Sequence, residues 1–163
     1  MNFGGEEMYS VCKLHKWNIS KLKMVSDILY KCGKDMAAQY DLHHWDNSHI
    51  KNYIVVGLCA LKNDIFLVYD ENVPVATFQI RKEDKSLLFQ KLATSPAFAG
   101  GGIGSYCINI IEMMAKESGL TNVICEVYAE SKHAITFYEH RGYKTYGTTQ
   151  TLKYKEYRMR KDI

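Results

Sequence analysis

Residues 86 to 128 limit the possible folds more than any other stretch. "SLLFQKLAT" at 86 to 94 and "TNVICEVY" at 121 to 128 are two β-prone runs joined by a long amphipathic segment. In that segment Ile103, Cys107, Ile110, Ile111 and Met114 recur at helical spacing, and Gly119 stands where such a helix would stop. Strand, helix and strand in this order form a crossover, which returns the chain parallel to its first strand. The segment before it has a different logic. "DIFLVYDENVPVATFQIRK", from 64 to 82, holds two runs rich in Val, Ile and aromatics around the polar "DEN", a hairpin signature, and the charged turn "KEDK" leads on to residue 86. Three successive strands predict an antiparallel meander, so the parallel pair lies inside a largely antiparallel sheet.

The flanks supply helices and further strands. A short strand is expected over 8 to 14, then a helix over 18 to 36 with Ile19, Leu22, Val25, Ile28 and Leu29 on one stripe and Gly33 ending it. Asp46 is the expected N-cap of a second helix, whose stripe is Ile50, Tyr53, Ile54, Leu58 and Leu61. Late in the chain "SKHAITFYEHRGY" reads as a short helix with Ser131 as N-cap and Gly142 just past its end. Two final strands joined near Thr148 to Gln150 follow. The 163 residues fit one domain, 1 to 163, and a composition of 47% hydrophobic and 24% charged residues excludes disordered and fibrous classes.

A net charge of +3 with scattered basic residues gives no footprint for duplex nucleic acid. Cys12, Cys32, Cys59, Cys107 and Cys125 lack the paired spacing of a disulfide scaffold or a zinc site, so they are expected reduced and buried. The N-terminus "MNFGGEEMYS" shows no leader pattern, and the longest apolar run, 53 to 61, is far shorter than a bilayer span. A cytoplasmic protein with no membrane partner is the expectation.

"SPAFAGGGIGSYC" at 95 to 107 places four glycines within five positions, ahead of the long helix. A strand, a glycine loop and a helix N-terminus aim backbone N–H groups and the positive end of a helix dipole at one point. The P-loop pattern is excluded, since no Gly-Lys-[Ser/Thr] follows. The dinucleotide fingerprint is excluded too, because its third glycine would fall on Ser105. An anion cradle and a mobile loop whose glycines permit positive φ both fit the loop taken alone.

Residues 92 to 143 decide between them by resemblance. Ala99, Gly100, Gly101, Gly102, Ile103 and Gly104 lie over the pattern [Gln/Arg]-x-x-Gly-x-[Gly/Ala]. Ser131, Ala134, Tyr138, Gly142 and Tyr143 lie over Asn-x-x-Ala-x-x-x-Tyr-x-x-x-Gly-[Phe/Tyr]. With both motifs on the right elements, the chain resembles the GCN5-related N-acetyltransferase (GNAT) superfamily. The resemblance implies an α/β (α+β) fold: a mixed, mostly antiparallel central sheet with helices on both faces and a splayed parallel strand pair. It also implies that backbone N–H groups from Ala99 to Gly104, with the Ser105 hydroxyl, hold the coenzyme A pyrophosphate. Leu92, Ala93 and Thr94 would present backbone to the pantetheine arm, and Ser131 would offer it a hydroxyl. Ala99 stands where the family has Gln or Arg, and Ser131 where it has Asn. The first change removes a hydrogen bond to a charged group, typically about 1.5 to 3 kcal/mol.

The implied reaction is acetyl transfer from acetyl-CoA to a primary amine by direct attack on the thioester, with no metal. Tyr138 takes the position from which many members protonate the departing thiolate. A tyrosine hydroxyl of ordinary pKa about 10 is protonated at neutral pH, close enough to a thiol's value of about 8.5 to deliver that proton. The alternative for Tyr138 is a core tyrosine on the helix stripe. Glu126, on the strand 121 to 128, is the candidate base, directly or through water, or else a structural carboxylate paired with an Arg or Lys. His43, His44, Trp45 and His49 fit capping and packing roles better than acceptor contact, and adjacent histidines do not have metal-ligand spacing. The partners expected are acetyl-CoA and an unidentified amine, small molecule or protein, with a monomer or homodimer. The rival reading is a coenzyme A-binding regulatory module on the same fold with little or no catalysis.

Overall fold

The computed structural model describes residues 9–151 and 153–163; residues 1–8, with the first residue of the expected opening strand and most of the stretch read for a leader, lie outside it. The elements are β1 (Ser10–Lys13), α1 (Ile19–Tyr40), α2 (Ser48–Lys51), α3 (Tyr53–Cys59), β2 (Asp64–Asp70), β3 (Val73–Glu83), β4 (Ser86–Thr94), a 3-10 turn (Pro96–Phe98), α4 (Ile103–Glu117), β5 (Asn122–Tyr128), α5 (Lys132–His140), β6 (Lys144–Gln150) and β7 (Lys155–Asp162). Seven strands form one mixed sheet in the order β1-β2-β3-β4-β5-β7-β6. β4 and β5 run parallel, as the crossover requires, while β1/β2, β5/β7 and β6/β7 are antiparallel. Backbone contacts divide the chain into two compact units, Met1–Gln79 with Lys91–Cys107 and Ile80–Gln90 with Ile108–Ile163.

In the first unit Leu22, Val25, Ile28 and Leu29 of α1 bury against Val56, Ile65, Leu67 and Ala93. Asn18 starts the helix by accepting the Lys21 N–H at 3.1 Å. Gly33 does not end it. The helix runs on to Tyr40 and closes at Asp41, whose φ of 57° is left-handed and whose N–H donates to Ala37 O at 3.1 Å. Gly33 is needed for another reason: a Cβ there would collide with the backbone carbonyl of Trp45.

The second expected helix is two. Asn47, not Asp46, caps α2, its Oδ1 accepting the N–H groups of His49 and Ile50 at 3.0 and 3.3 Å. Asp46 is instead held by His43 Nδ1 at 2.8 Å. Asn52 then turns extended and caps α3 by accepting the Ile54 N–H at 2.9 Å, breaking the helix between its halves. The break rotates the expected stripe outward: Ile54, Leu58 and Leu61 are 51%, 52% and 58% exposed, and Val56 and Gly57 bury in their place.

In the second unit Ile108, Ile111 and Ala115 of α4 are buried, as are Val123, Ile124, Cys125 and Val127 of β5, Tyr143, and Met159 of β7. Gly119 and Gly142, at φ 68° and 89°, stand just past α4 and α5 as read from the sequence. The last hairpin turns slightly later than expected, with the Thr151 N–H donating to Tyr154 O at 2.9 Å.

A methyl group at Gly33 is an overpacking test of the α1 reading. Gly33→Ala should destabilise the protein by about 1–3 kcal/mol in urea unfolding. A neutral or stabilising change, as helix propensity alone would give, would show that the Trp45 carbonyl yields freely.

Candidate functional site

The parallel register of β4 and β5 runs from Ser86↔Asn122 to Phe89↔Cys125, although β4 continues to Thr94 and β5 to Tyr128. Two residues beyond Phe89, Lys91 adopts φ 49°, a left-handed kink inside a strand, and its Nζ donates to Cys59 Sγ at 3.4 Å. Leu92, Ala93 and Thr94 therefore follow a kink and lie outside the register with β5; Ala93 is buried in the core of the first unit, and Leu92 and Thr94 are half-buried.

The chain then makes its 3-10 turn, Ser95 donating to Val75 O at 2.8 Å and Ala99 to Pro96 O at 3.2 Å. The Ala99 amide is thereby occupied. Gly100 and Gly102 both sit at φ 81°, the left-handed region that excludes most side chains. The first α4 bond is Tyr106 N–H to Gly102 O at 3.0 Å, which makes Gly102 the cap. Among the described residues, no acceptor takes the amides of Gly100, Gly101, Gly102, Ile103, Gly104 or Ser105. Buried Ile103 and Cys107 fix the start of the helix, and Tyr106 donates to Tyr9 O at 3.2 Å. A run of unclaimed donors at the positive end of a 15-residue helix is chemically an anion site.

In the second unit Tyr138, half-buried on α5, meets Phe89 at 5.6 Å, Phe137 at 5.2 Å and Tyr143 at 5.9 Å between ring centroids. Ser131, 3% exposed, occupies the N-cap position, but its side chain makes no capping bond; its carbonyl accepts the Ile135 N–H at 3.0 Å. Glu126 faces Arg158 across the β5/β7 rung, with Arg158 Nε 3.8 Å from its carboxylate. Arg158 also holds Glu83 at 2.8 Å, and Arg81 holds Glu83 at 2.6 Å. Burial works against ionising Glu83, but the bonds from Arg81 and Arg158 hold its carboxyl below the usual range. Burial and the Glu126 charge raise Glu156.

One network was not foreseen: buried Tyr143 donates to Glu112 at 3.1 Å, and Lys161 grips both oxygens of Glu112 at 2.9 Å. Burial, and then Glu112, push the Tyr143 hydroxyl far up, so it stays protonated. Of the five cysteines only Cys107 and Cys125 are buried; Cys12, Cys32 and Cys59 are half-buried, since their elements lie at the edge of the core. Burial pushes Cys107 up to about 12 and Cys125 higher, which suits core packing rather than nucleophilic attack. His43 clasps Asp46 and Asp41 at 2.8 and 2.9 Å, a loop-bracing role. No group of three His, Cys, Asp or Glu among the described residues could hold a metal, and no described helix is long and apolar enough to cross a membrane.

Residues 62–145, more than half of the chain, match the sequence model of the acetyltransferase (GNAT) domain. The chain belongs to the GNAT acetyltransferase family. Solved structures agree with this GNAT fold. The PaiA N-acetyltransferase of Thermoplasma acidophilum, in complex with coenzyme A, superposes with a TM-score of 0.75 at 15% identity, covering 95% of this chain and 99% of that one. The GCN5-related N-acetyltransferase of Rhodopseudomonas palustris gives 0.75 at 14% identity over 99% and 100% of the two chains. Ard1 of Thermoplasma volcanium gives 0.69 at 12% identity over 96% and 98%. No curated protein sequence matches the chain significantly.

The Glu83 clasp has a definite pH signature. A carboxyl held below its unfolded value stabilises the fold fully above that value and ceases to do so as pH falls through the folded one. Glu83→Gln should therefore lower the unfolding midpoint at neutral pH, and the gap from wild type should close on acidification below about pH 4. A gap independent of pH would mean that the carboxylate charge contributes nothing.

Proposed function

We propose that this GNAT protein is a cytoplasmic acetyl-CoA-dependent N-acetyltransferase, one catalytic domain over 1–163, in which a bound primary amine attacks the thioester directly. The observation that carries this reading is the run of acceptor-free amides from Gly100 to Ser105 at the head of α4, which suits a diphosphate. The coenzyme A bound to the Thermoplasma acidophilum relative supports the same ligand. In this reading the cradle comprises Ala99 to Gly104 with the Ser105 hydroxyl. Most of its donors begin at Gly100, because Ala99 already donates to Pro96. Leu92, Ala93 and Thr94 align the pantetheine arm along β4 beyond the Lys91 kink, and Ser131 adds a hydroxyl.

Glu126 accepts a proton from the bound ammonium, directly or through water, which leaves the neutral amine with a lone pair free to attack the carbonyl carbon. The tetrahedral adduct collapses with cleavage of the carbon–sulfur bond, the Tyr138 hydroxyl gives its proton to the departing thiolate, and the proton that nitrogen sheds as the amide forms restores the tyrosine, directly or through water. Direct transfer needs no acyl-enzyme once donor and amine share a cleft. The acceptor is a small-molecule or protein amine.

A second reading, a coenzyme A-binding regulatory module, is favoured by Ala99 and Ser131, which lack the family's usual side chains, and by the Arg158 partner of Glu126. Turnover separates the two. Acetyl-CoA consumption with a panel of amines should be measurable, and Tyr138→Phe should lower kcat by about 10²- to 10⁴-fold with KM little changed. Binding without turnover for any amine would favour the regulatory module. Gly102→Val, which cannot hold φ 81° without strain, should weaken acetyl-CoA binding about tenfold in calorimetry. Unaltered affinity would remove the loop from the coenzyme site.

A further inference from the structure

Two Lys–Cys contacts occur in the first unit, and they differ. Lys91 Nζ lies 3.4 Å from Cys59 Sγ, an ordinary N–H···S distance, whereas Lys21 Nζ lies 2.8 Å from Cys12 Sγ. Asn18 caps α1 and sets Lys21 in its first turn, over β1, where Cys12 pairs with Leu67. A cation in a first turn faces the positive end of its own helix, and the Cys12 sulfur lone pair supplies an acceptor that the helix does not. That hydrogen bond holds the Lys21 ammonium above its usual value, against burial, with Tyr69 adding to it. Cys12 is a free thiol and half-buried, so its sulfur is not sealed in the core.

We propose that Cys12 and Lys21 form a self-acylation site, in which Cys12 accepts an acyl group from an acyl thioester such as acetyl-CoA and passes it to Lys21. The step needs Sγ as the thiolate, the state in which sulfur is nucleophilic, its proton passing to solvent while Nζ stays protonated. Sγ attacks the thioester carbonyl, a new carbon–sulfur bond forms to Cys12, and the bond to coenzyme A breaks. The Lys21 ammonium gives one proton to the departing thiolate, which leaves as free coenzyme A thiol and makes Nζ a neutral amine. Nζ then attacks the acetyl carbon on Sγ; the carbon–nitrogen bond forms, the carbon–sulfur bond breaks, and a nitrogen proton returns to sulfur as thiol. The products are N-acetyl-Lys21, a regenerated Cys12 thiol and coenzyme A. The 2.8 Å separation puts the acyl carbon within near-attack reach of the amine. The thioester arrives from solvent, so the inference does not require the amine-acetyltransferase reading above.

The test uses the full, reduced chain incubated with acetyl-CoA at neutral pH, followed by mass mapping of lysine acetylation over time. Lys23 and Lys31 share α1 and serve as internal references. Lys21 should be acetylated roughly tenfold or more faster than either, as expected for an intramolecular transfer. Cys12→Ser should bring Lys21 down to the reference rate, and Lys21→Arg should leave a hydroxylamine-labile acetyl group on Cys12. Acetylation of Lys21 no faster than Lys23 and Lys31, an unchanged rate in Cys12→Ser, or no labile acyl group in Lys21→Arg would each overturn the proposal.

Discussion

Phe89 carries two constraints in the second unit at once. It is the last residue of β4 paired in parallel with β5, and its buried ring meets both Tyr138 and Tyr143 edge-on. Such tilted contacts favour one ring orientation over others, since the positive edge of one ring faces the negative face of the next. Tyr138 is therefore positioned by packing on three rings, without a stiff backbone alone. Tyr143 is held in turn through its hydroxyl on Glu112, which Lys161 also grips. The Glu112–Lys161 pair is partly buried, and the Tyr143 and Lys161 donors give the Glu112 carboxylate three hydrogen bonds that offset its lost hydration.

The first unit treats polar groups differently. At the head of α4 the amides from Gly100 onward have no acceptor among the described residues, and Gly100 to Gly102 are exposed to water, which can satisfy them. Their geometry is set by two left-handed glycines and by the buried Ile103 and Cys107. The Tyr143–Glu112–Lys161 network pairs its polar groups with one another, whereas the amides at the head of α4 stay open toward solvent.

Much of this was legible in the sequence because the signals were local. The hairpin at 70 to 73, the crossover that makes β4 and β5 parallel, and Gly100, Gly102, Gly119 and Gly142 at positive φ all follow from short-range pattern and backbone sterics. Errors arose where one letter has two uses. Gly33 reads as a helix stop, but it makes room for the Trp45 carbonyl. Asn52 looks like a polar position in a helix, but it ends one helix and begins another, which turns Ile54 and Leu58 outward. The Arg158 partner of Glu126 and the Tyr143–Glu112–Lys161 network depend on the register of β7 between β5 and β6. That register joins residues far apart in the chain, and no local periodicity specifies it.

The same distinction bears on Ala99. A Gln or Arg clasp supplies a side chain that can be read, and deleted, at one position. Here Ala99 is exposed and its amide is already bonded to Pro96, so neither its side chain nor its backbone N–H has a further donor to give. What is left is the conformation of Gly100 to Ser105. Donors fixed by backbone dihedrals lose little entropy when an anion arrives, whereas an Arg side chain must be ordered at a cost of up to about 2 kcal/mol. In the proposed coenzyme reading, the missing clasp therefore removes a favourable contact and an ordering cost together, and the net loss is smaller than the hydrogen bond alone would give.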